Sequence, residues 1–274
     1  ALAHYAARHG SIAVLTHSPD YIPVGALAAM MQTSHELGLL LIIEQLSDQA
    51  CPRVIAEDCV DGIILFETVV DDLIADINRY RLPLIQLNTN NRFAPGAITF
   101  DEEAAAADLV QFLLAKGCRH LGIVTLTGRL PHYSHDLRPA EITRQARLQG
   151  LPAPVIYETC TLDDPQHGTE VDHIDLFLRH PHLDAVILEQ DLLAPALYDA
   201  ASKAGISIPD DLKVIGYNDT LAGRSIRPQL TIYRPDGATI GRLAVENLSR
   251  LINQQAPKLK NQILPLDRIE RNST

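Results

Sequence analysis

Asn218, Asp219 and Thr220 stand directly after the apolar run Val214-Ile215-Gly216. A strand that ends in a glycine turn and then presents an amide, a carboxyl and a hydroxyl offers hydrogen-bond donors and acceptors at its carboxyl edge. In open α/β sheets that edge is where small ligands bind. The arrangement recurs: Ser11–Thr16 leads into His17-Ser18-Pro19-Asp20-Tyr21, and Leu82–Leu87 into Asn88-Thr89-Asn90-Asn91. The chemistry these positions offer is recognition by hydrogen bonding. His132 and His135 have the spacing of a metal pair on a helix, but Pro131 and the polar neighbours point to a loop, and no metal site is expected. The chain has no G-x-S-x-G, G-x-G-x-x-G or Walker lysine motif, and no carboxylate pair can be placed for glycoside hydrolysis. The expectation is a non-enzyme without cofactors.

Alternating strands and helices must position these edges. Ser11–Thr16 reads as a strand, Val24–Gly38 as a helix with Leu27, Met30, Met31 and Leu37 on its apolar side, and Leu39–Glu44 as the next strand. This β-α-β order is the unit of a parallel sheet. The rhythm continues through helix 54–58, strand 61–66, helix 71–80, strands 82–87 and 97–100, a helix over Glu102–Lys116 capped by Asp101, and strand 120–125. It restarts after Thr125 with a polar loop over Gly128–Pro139, helix 140–149, strand 155–157, helix 171–179, strand 185–188 and helix 192–204. The strand at Val214, an extended 229–233, helix 237–253 and a last strand over Gln262–Leu266 complete it. Two successive sets imply two α/β lobes. We expect residues 11–126 with 235–256 in the first, 127–234 with 257–274 in the second, and 1–10 as a linker remnant.

Composition narrows the partners. Of 274 residues, 46% are hydrophobic and 21% charged, which is globular, and the net charge of -11 makes the chain a poor nucleic-acid binder by itself. If it acts on DNA, a separate basic domain does so. The four cysteines, Cys51, Cys59, Cys118 and Cys160, form no C-x-x-C and read as buried free thiols of a cytoplasmic protein. No apolar run is long enough to span a membrane. The chain opens on Ala1 and is expected to be a piece of a longer protein.

Several segments in this order and spacing resemble the LacI/GalR family of bacterial transcriptional regulators, specifically its effector-binding core. They are Val60-Asp61-Gly62-Ile63-Ile64-Leu65, Leu114–His120 (LAKGCRH), Ala204-Gly205-Ile206 through Pro209-Asp210-Asp211, Val214–Asp219 (VIGYND), Pro228–Ile232 (PQLTI) and Asn261–Pro265 (NQILP). The resemblance covers nearly the whole chain. It implies two Rossmann-like lobes with parallel central sheets and a ligand cleft between them, the periplasmic-binding-protein-like type I fold. It also implies a sugar-like effector, a homodimer, and operator DNA bound through an N-terminal helix-turn-helix absent from this chain. Ala1–Ala6 resembles the end of the family's hinge helix. A solute-binding protein of a transport system is the alternative function.

By the same resemblance, the ligand-binding residues are His17, Ser18, Asp20, Tyr21, Asn88, Arg138, Gln190 and Asn218. Arg138 matches the effector-gripping Arg of an R-x-x-G motif in which Glu141 replaces the glycine, and it is expected in the loop. Asn88 and Asn218 stand where the family has Asp, and Gln190-Asp191 where it has Asn-Asp. Other roles compete: Asp20 as a turn residue, Asp191 as a helix N-cap, Asp219 as a structural carboxylate, Tyr217 as core or pocket. Two amides in place of carboxylates, with Arg138 kept, suggest an anionic effector such as a sugar phosphate or sugar acid. A neutral polyol is the competing expectation.

Overall fold

The computed structural model describes residues 9–17, 22–46, 51–66, 71–89, 96–126, 133–159, 173–255 and 259–274. They form two α/β units. Unit 1 holds the described residues up to Phe100 together with Asp236–Leu264, and unit 2 holds Asp101–Pro235 and Pro265–Thr274.

Unit 1 contains β1 (Ser11–Thr16), α1 (Ala26–Glu36), β2 (Leu40–Gln45), α2 (Arg53–Ala56), β3 (Ile63–Phe66), α3 (Asp71–Arg79), β4 (Leu84–Leu87), β5 (Ile98–Phe100), α9 (Gly237–Ile252) and β11 (Gln262–Leu264). Its six strands run in the order β11-β5-β4-β3-β1-β2 and all pair in parallel. The central strands are apolar at nearly every position because helices cover both faces. One face carries Ala13, Leu15, Ile63 and Leu65 against Val54, Ile55, Leu73 and Ile77. α9 packs on β3 and β4 and against α1. α1 and α9 approach closely because Gly237 and Gly241, one turn apart, lack side chains there. A Cβ on either would sit 2.2 Å from the carbonyl oxygen of Val24 or Ala26.

Unit 2 contains α4 (Glu102–Ala115), β6 (Leu121–Leu126), α5 (Tyr133–Leu148), β7 (Val155–Thr159), α6 (Ile174–Arg179), β8 (Ala185–Leu188), α7 (Ala194–Lys203), β9 (Lys213–Tyr217), α8 (Leu221–Ser225), β10 (Thr231–Pro235) and β12 (Leu266–Ile269). The strand order is β12-β10-β9-β8-β6-β7, parallel except for β12 against β10. α4 and α5 bury Leu109, Leu113, Ile142 and Ala146 on Ile123, Ile187 and Ile215. The other face holds Val186, Val214 and Ile232 against Leu176, Leu197 and Ala200. Asp101 caps α4 by accepting the Ala104 N–H at 2.9 Å, as its position before Glu102 predicts. The order reverses between β6 and β8, which makes their carboxyl ends a topological switch point.

Four expectations need correction. The first crossing between units falls at Phe100/Asp101 and not near residue 126, because β6 bonds β7 and β8 and α4 packs in unit 2. The stretch from Gln262 is not one strand. Pro265, which has no N–H to donate to a ladder, separates β11 in unit 1 from β12 in unit 2. Residues from Tyr133 belong to α5, which continues through Pro139 at the loss of one backbone bond and places Arg138 on a helix. Cys118 is a buried free thiol as expected, with burial pushing it up to about 11, but Cys51 is exposed and Cys59 partly so. Cys160, the 1–8 segment and the His132/His135 side chains lie outside what is described. Among the described residues no helix is long and apolar enough to cross a membrane.

Candidate ligand-binding site

Arg138 projects from the second turn of α5 and is buried. Its Nε and Nη2 donate to Glu102 Oε2 and Oε1 at 3.0 and 2.7 Å, a bidentate ion pair. Nη1 donates to the Glu189 carbonyl at 2.8 Å, and the guanidinium carbon stands 3.7 Å above the Tyr217 ring. Burial opposes the charged guanidinium, yet the Glu102 carboxylate overcomes this and holds its pKa above the ordinary value. Glu102 opens α4, and its side chain is 1% exposed. The Glu189 carboxylate follows β8 and accepts the Leu126 N–H at 3.1 Å. The guanidinium thereby ties the ends of β8 and β9, and the Glu189 carboxylate ties in the end of β6.

At the end of β9 the chain turns through Asn218 (φ 89°) and Asp219 (φ 62°), two left-handed residues in succession. Asn and Asp tolerate that region better than other side chains. The Asn218 N–H donates to the Tyr233 carbonyl at 3.1 Å, which fixes the turn on β10. Asp219 is buried and receives Arg271 at 2.7 Å and Arg224 at 3.2 Å, so its role is structural, as one of the two readings had it.

Asp191 departs from its expected role as cap of the following helix. Its carboxylate accepts the Thr220 N–H at 2.6 Å and the Thr220 hydroxyl at 2.9 Å, joining the end of β8 to the turn after β9. Gly223 permits the approach, since a Cβ there would lie 2.6 Å from Asp191 Oδ2. Burial, with the Asp219 charge adding to it, pushes the Asp191 carboxyl from 3.8 up to about 6, against the opposing bonds from Thr220. A carboxyl whose pKa is raised by folding binds its proton more tightly in the native state, so it lowers stability as pH rises. We therefore expect wild type to lose stability relative to Asp191→Asn between pH 4 and pH 7, by on the order of 2–3 kcal/mol, with the change complete above about pH 7. Urea unfolding of both proteins across that range checks this. A pH-independent difference rejects it.

In unit 2, Arg138 contacts the residues that immediately precede Gln190 and Asn218. Gln190 is buried and follows Glu189, whose carbonyl binds Arg138, and Asn218 follows Tyr217, on which Arg138 rests. In unit 1, His17 follows β1, and its carbonyl accepts Gln45 Nε2 at 2.9 Å. Asn88 follows β4 in the left-handed region (φ 48°), and its N–H donates to the Ile98 carbonyl at 2.8 Å. Asn88 is buried and its side-chain oxygen has no hydrogen-bond partner. Ser18, Asp20 and Tyr21 lie outside the described residues. Sequence reasoning missed Glu102 and Glu189. Nothing near either residue in the chain announces a partner, although an acidic residue in the first turn of a helix is common for dipole reasons.

Two parallel-sheet α/β units, with hydrogen-bonding side chains gathered at strand carboxyl ends, define an α/β ligand-binding core. A family model described as a periplasmic binding protein-like domain matches residues 110–274. The ribose operon repressor of Escherichia coli K12 is 30% identical over 220 residues, covering 78% of this chain and 65% of the repressor. Catabolite control protein A of Staphylococcus xylosus is 28% identical over 223 residues, covering 78% of this chain and 64% of that protein. The chain thus spans less than two thirds of the length of these relatives. Among solved structures, the lac repressor dimer bound to operator and the anti-inducer ONPF matches with a TM-score of 0.80 at 22% identity, over 97% of this chain and 94% of that one. The transcriptional regulator CelR in complex with cellobiose matches with a TM-score of 0.82 at 17% identity, over 97% of this chain and 85% of that one. The chain belongs to the periplasmic binding protein-like domain family and, within it, to the LacI/GalR group, as its sequence motifs imply.

Proposed function

We propose that this chain is the effector-sensing core of a LacI-type transcriptional repressor. It takes a small sugar-like ligand at its strand carboxyl ends, and operator DNA is bound by a segment outside this chain. The observation that carries the reading is Arg138, which contacts Glu189 and Tyr217, the residues preceding Gln190 and Asn218, beside the β6/β8 switch point, where α/β sheets take up ligands. Amide side chains with both donors and acceptors suit hydroxyls, and Asn88 and His17 are the unit 1 candidates. The net charge of -11 favours phosphate contacts made by a separate basic segment over contacts made by this chain. A repressor of this kind works in the cytoplasm and needs no catalytic group. The regulator names of relatives aligned over 78% of the chain favour this reading over a transport-associated binding protein. Isothermal titration with ribose, glucose, cellobiose and glucose 6-phosphate tests it. We expect saturable one-to-one binding of at least one of them, weakened in Asn218→Ala. Binding of none removes the sensing role.

The protein is further expected to be a homodimer, with α1, β2 and α2 in the interface. β2 is the edge strand of its sheet and exposes Leu40 and Ile43, while α1 and the turn after it expose Met31 and Leu37. Met30, the neighbour of Met31, faces the core and takes no part. Light scattering at about tens of micromolar checks this, since association depends on protomer concentration. A strictly monomeric species counts against it, and Leu40→Asp is expected to shift a dimer toward monomer.

A further inference from the structure

The hydroxyl of Tyr217 stands apart from every other feature of the cluster. Tyr217 ends β9 and is completely buried, its ring lying between the Arg138 guanidinium at 3.7 Å and the stacked Tyr233 ring at 5.5 Å. The two tyrosines are neighbours on adjacent strands, yet they differ at their tips. Tyr233 donates its hydroxyl to Asp108 Oδ2 at 2.5 Å, whereas the Tyr217 hydroxyl has no hydrogen-bond partner among the described residues. A buried hydroxyl left unpaired destabilises a fold, and phenylalanine would supply the same stacking without that cost. The hydroxyl therefore adds nothing to folding that the ring does not already supply.

The neighbouring guanidinium is in a similar condition. Among the described residues, Arg138 uses three N–H groups, two on Glu102 and one on the Glu189 carbonyl. A guanidinium carries five donors. The two remaining donors and the Tyr217 hydroxyl belong to one stacked pair at the switch point. Because Arg138 is already paired with Glu102, their setting offers an anion no unpaired cation. Glu102 already neutralises Arg138, and burial keeps the Tyr217 hydroxyl protonated against the Arg138 charge, with Glu102 and Asp108 adding to the burial effect. A phosphate or carboxylate entering here would have to compete with Glu102 for the guanidinium, whereas an uncharged hydroxyl would not.

We infer that Tyr217 is a ligand-contacting, specificity-determining residue, whose hydroxyl joins the two uncommitted Arg138 donors in holding one uncharged hydroxyl of a polyol ligand. The inference rests on the proposed sensing role and reverses the sequence-based preference for an anionic effector. The tyrosine hydroxyl accepts or donates one hydrogen bond and the guanidinium donates to the ligand oxygen. The ligand hydroxyl thereby satisfies a group the fold leaves unpaired.

The test compares wild type with Tyr217→Phe by calorimetric titration and by thermal melting without ligand. The probes are ribose, glucose and cellobiose, the deoxy analogues of whichever sugar binds, and glucose 6-phosphate. We expect Tyr217→Phe to melt no lower than wild type and to bind the sugar about tenfold or more weakly. One deoxy analogue should bind wild type weakly yet bind the variant as well as the parent sugar does, because both changes remove the same hydrogen bond. Unchanged sugar affinity in the variant overturns the assignment while leaving the sensing role intact. A lower melting temperature with unchanged affinity shows a purely structural hydroxyl and also overturns it. Binding of glucose 6-phosphate alone overturns it too. Failure of wild type to bind any probe removes the sensing role, and this assignment falls with it.

Discussion

Arg138→Ala is expected to destabilise unit 2 by about 3–5 kcal/mol and to abolish sugar binding. The size of the effect follows from what the substitution leaves behind. The Glu102 side chain is 1% exposed and would keep a buried negative charge without its bidentate partner. The Glu189 carbonyl would lose its donor, and the Tyr217 ring its cation. A loop position would have predicted almost no stability change, so the helical, buried setting reverses that expectation. The decisive comparison is with Arg138→Met combined with Glu102→Gln. Removing both charges avoids the orphaned carboxylate, and this double variant should be clearly more stable than Arg138→Ala. Urea unfolding followed by circular dichroism measures the stabilities, and calorimetric titration measures binding. If Arg138→Ala unfolds at the wild-type urea midpoint, the pair has no structural role. If the double variant is the less stable protein, the orphaned charge does not dominate.

Gly241→Ala should destabilise unit 1 by about 3 kcal/mol, the upper end for overpacking. Alanine at an ordinary helix position would instead gain about 1 kcal/mol over glycine. Space decides the sign. The added methyl would sit 2.2 Å from the Ala26 carbonyl oxygen, and that atom belongs to the backbone of α1. No rotamer change can relieve a clash between two backbones, so α1 must move away from α9 or the helices must part. Gly237→Ala meets the Val24 carbonyl oxygen at the same 2.2 Å and should behave alike. The exposed Arg242→Ala on the same helix serves as the control and should change stability by about 0.5 kcal/mol at most. Thermal melts of the three variants check the order. A Gly241→Ala protein as stable as wild type would mean that the helix pair is looser than its geometry indicates. Because α1 also exposes Met31, a displaced α1 should weaken dimer formation as well.

The sequence by itself determined what consecutive residues encode. Apolar runs such as Ser11–Thr16 and Ala185–Leu188 are strands with the boundaries read from the chain, because strands buried on both faces need continuous apolar side chains. Asp101 before Glu102 marks a helix start because a cap and its N–H lie three residues apart. The turn after β9 was legible as well, because Asn218 and Asp219 tolerate the left-handed backbone it needs. Strand alternation, however, does not say which sheet a strand joins. β6 continues the rhythm of unit 1 and pairs in unit 2, and β11 and β12 divide between sheets across a single residue, Pro265. Every decisive partnership at the candidate site is long-range. Glu102 meets Arg138 across 36 positions, Asp191 meets Thr220 across 29, and Tyr233 meets Asp108 across 125. Such pairs depend on the order in which strands assemble, and the types of the flanking residues carry no record of it. Arg138 shows the difference most sharply. Its chemistry was legible as a fork of donors, but only the tertiary structure commits three of them to Glu102 and Glu189 and lays the guanidinium over the ring of Tyr217, whose hydroxyl has no partner among the described residues.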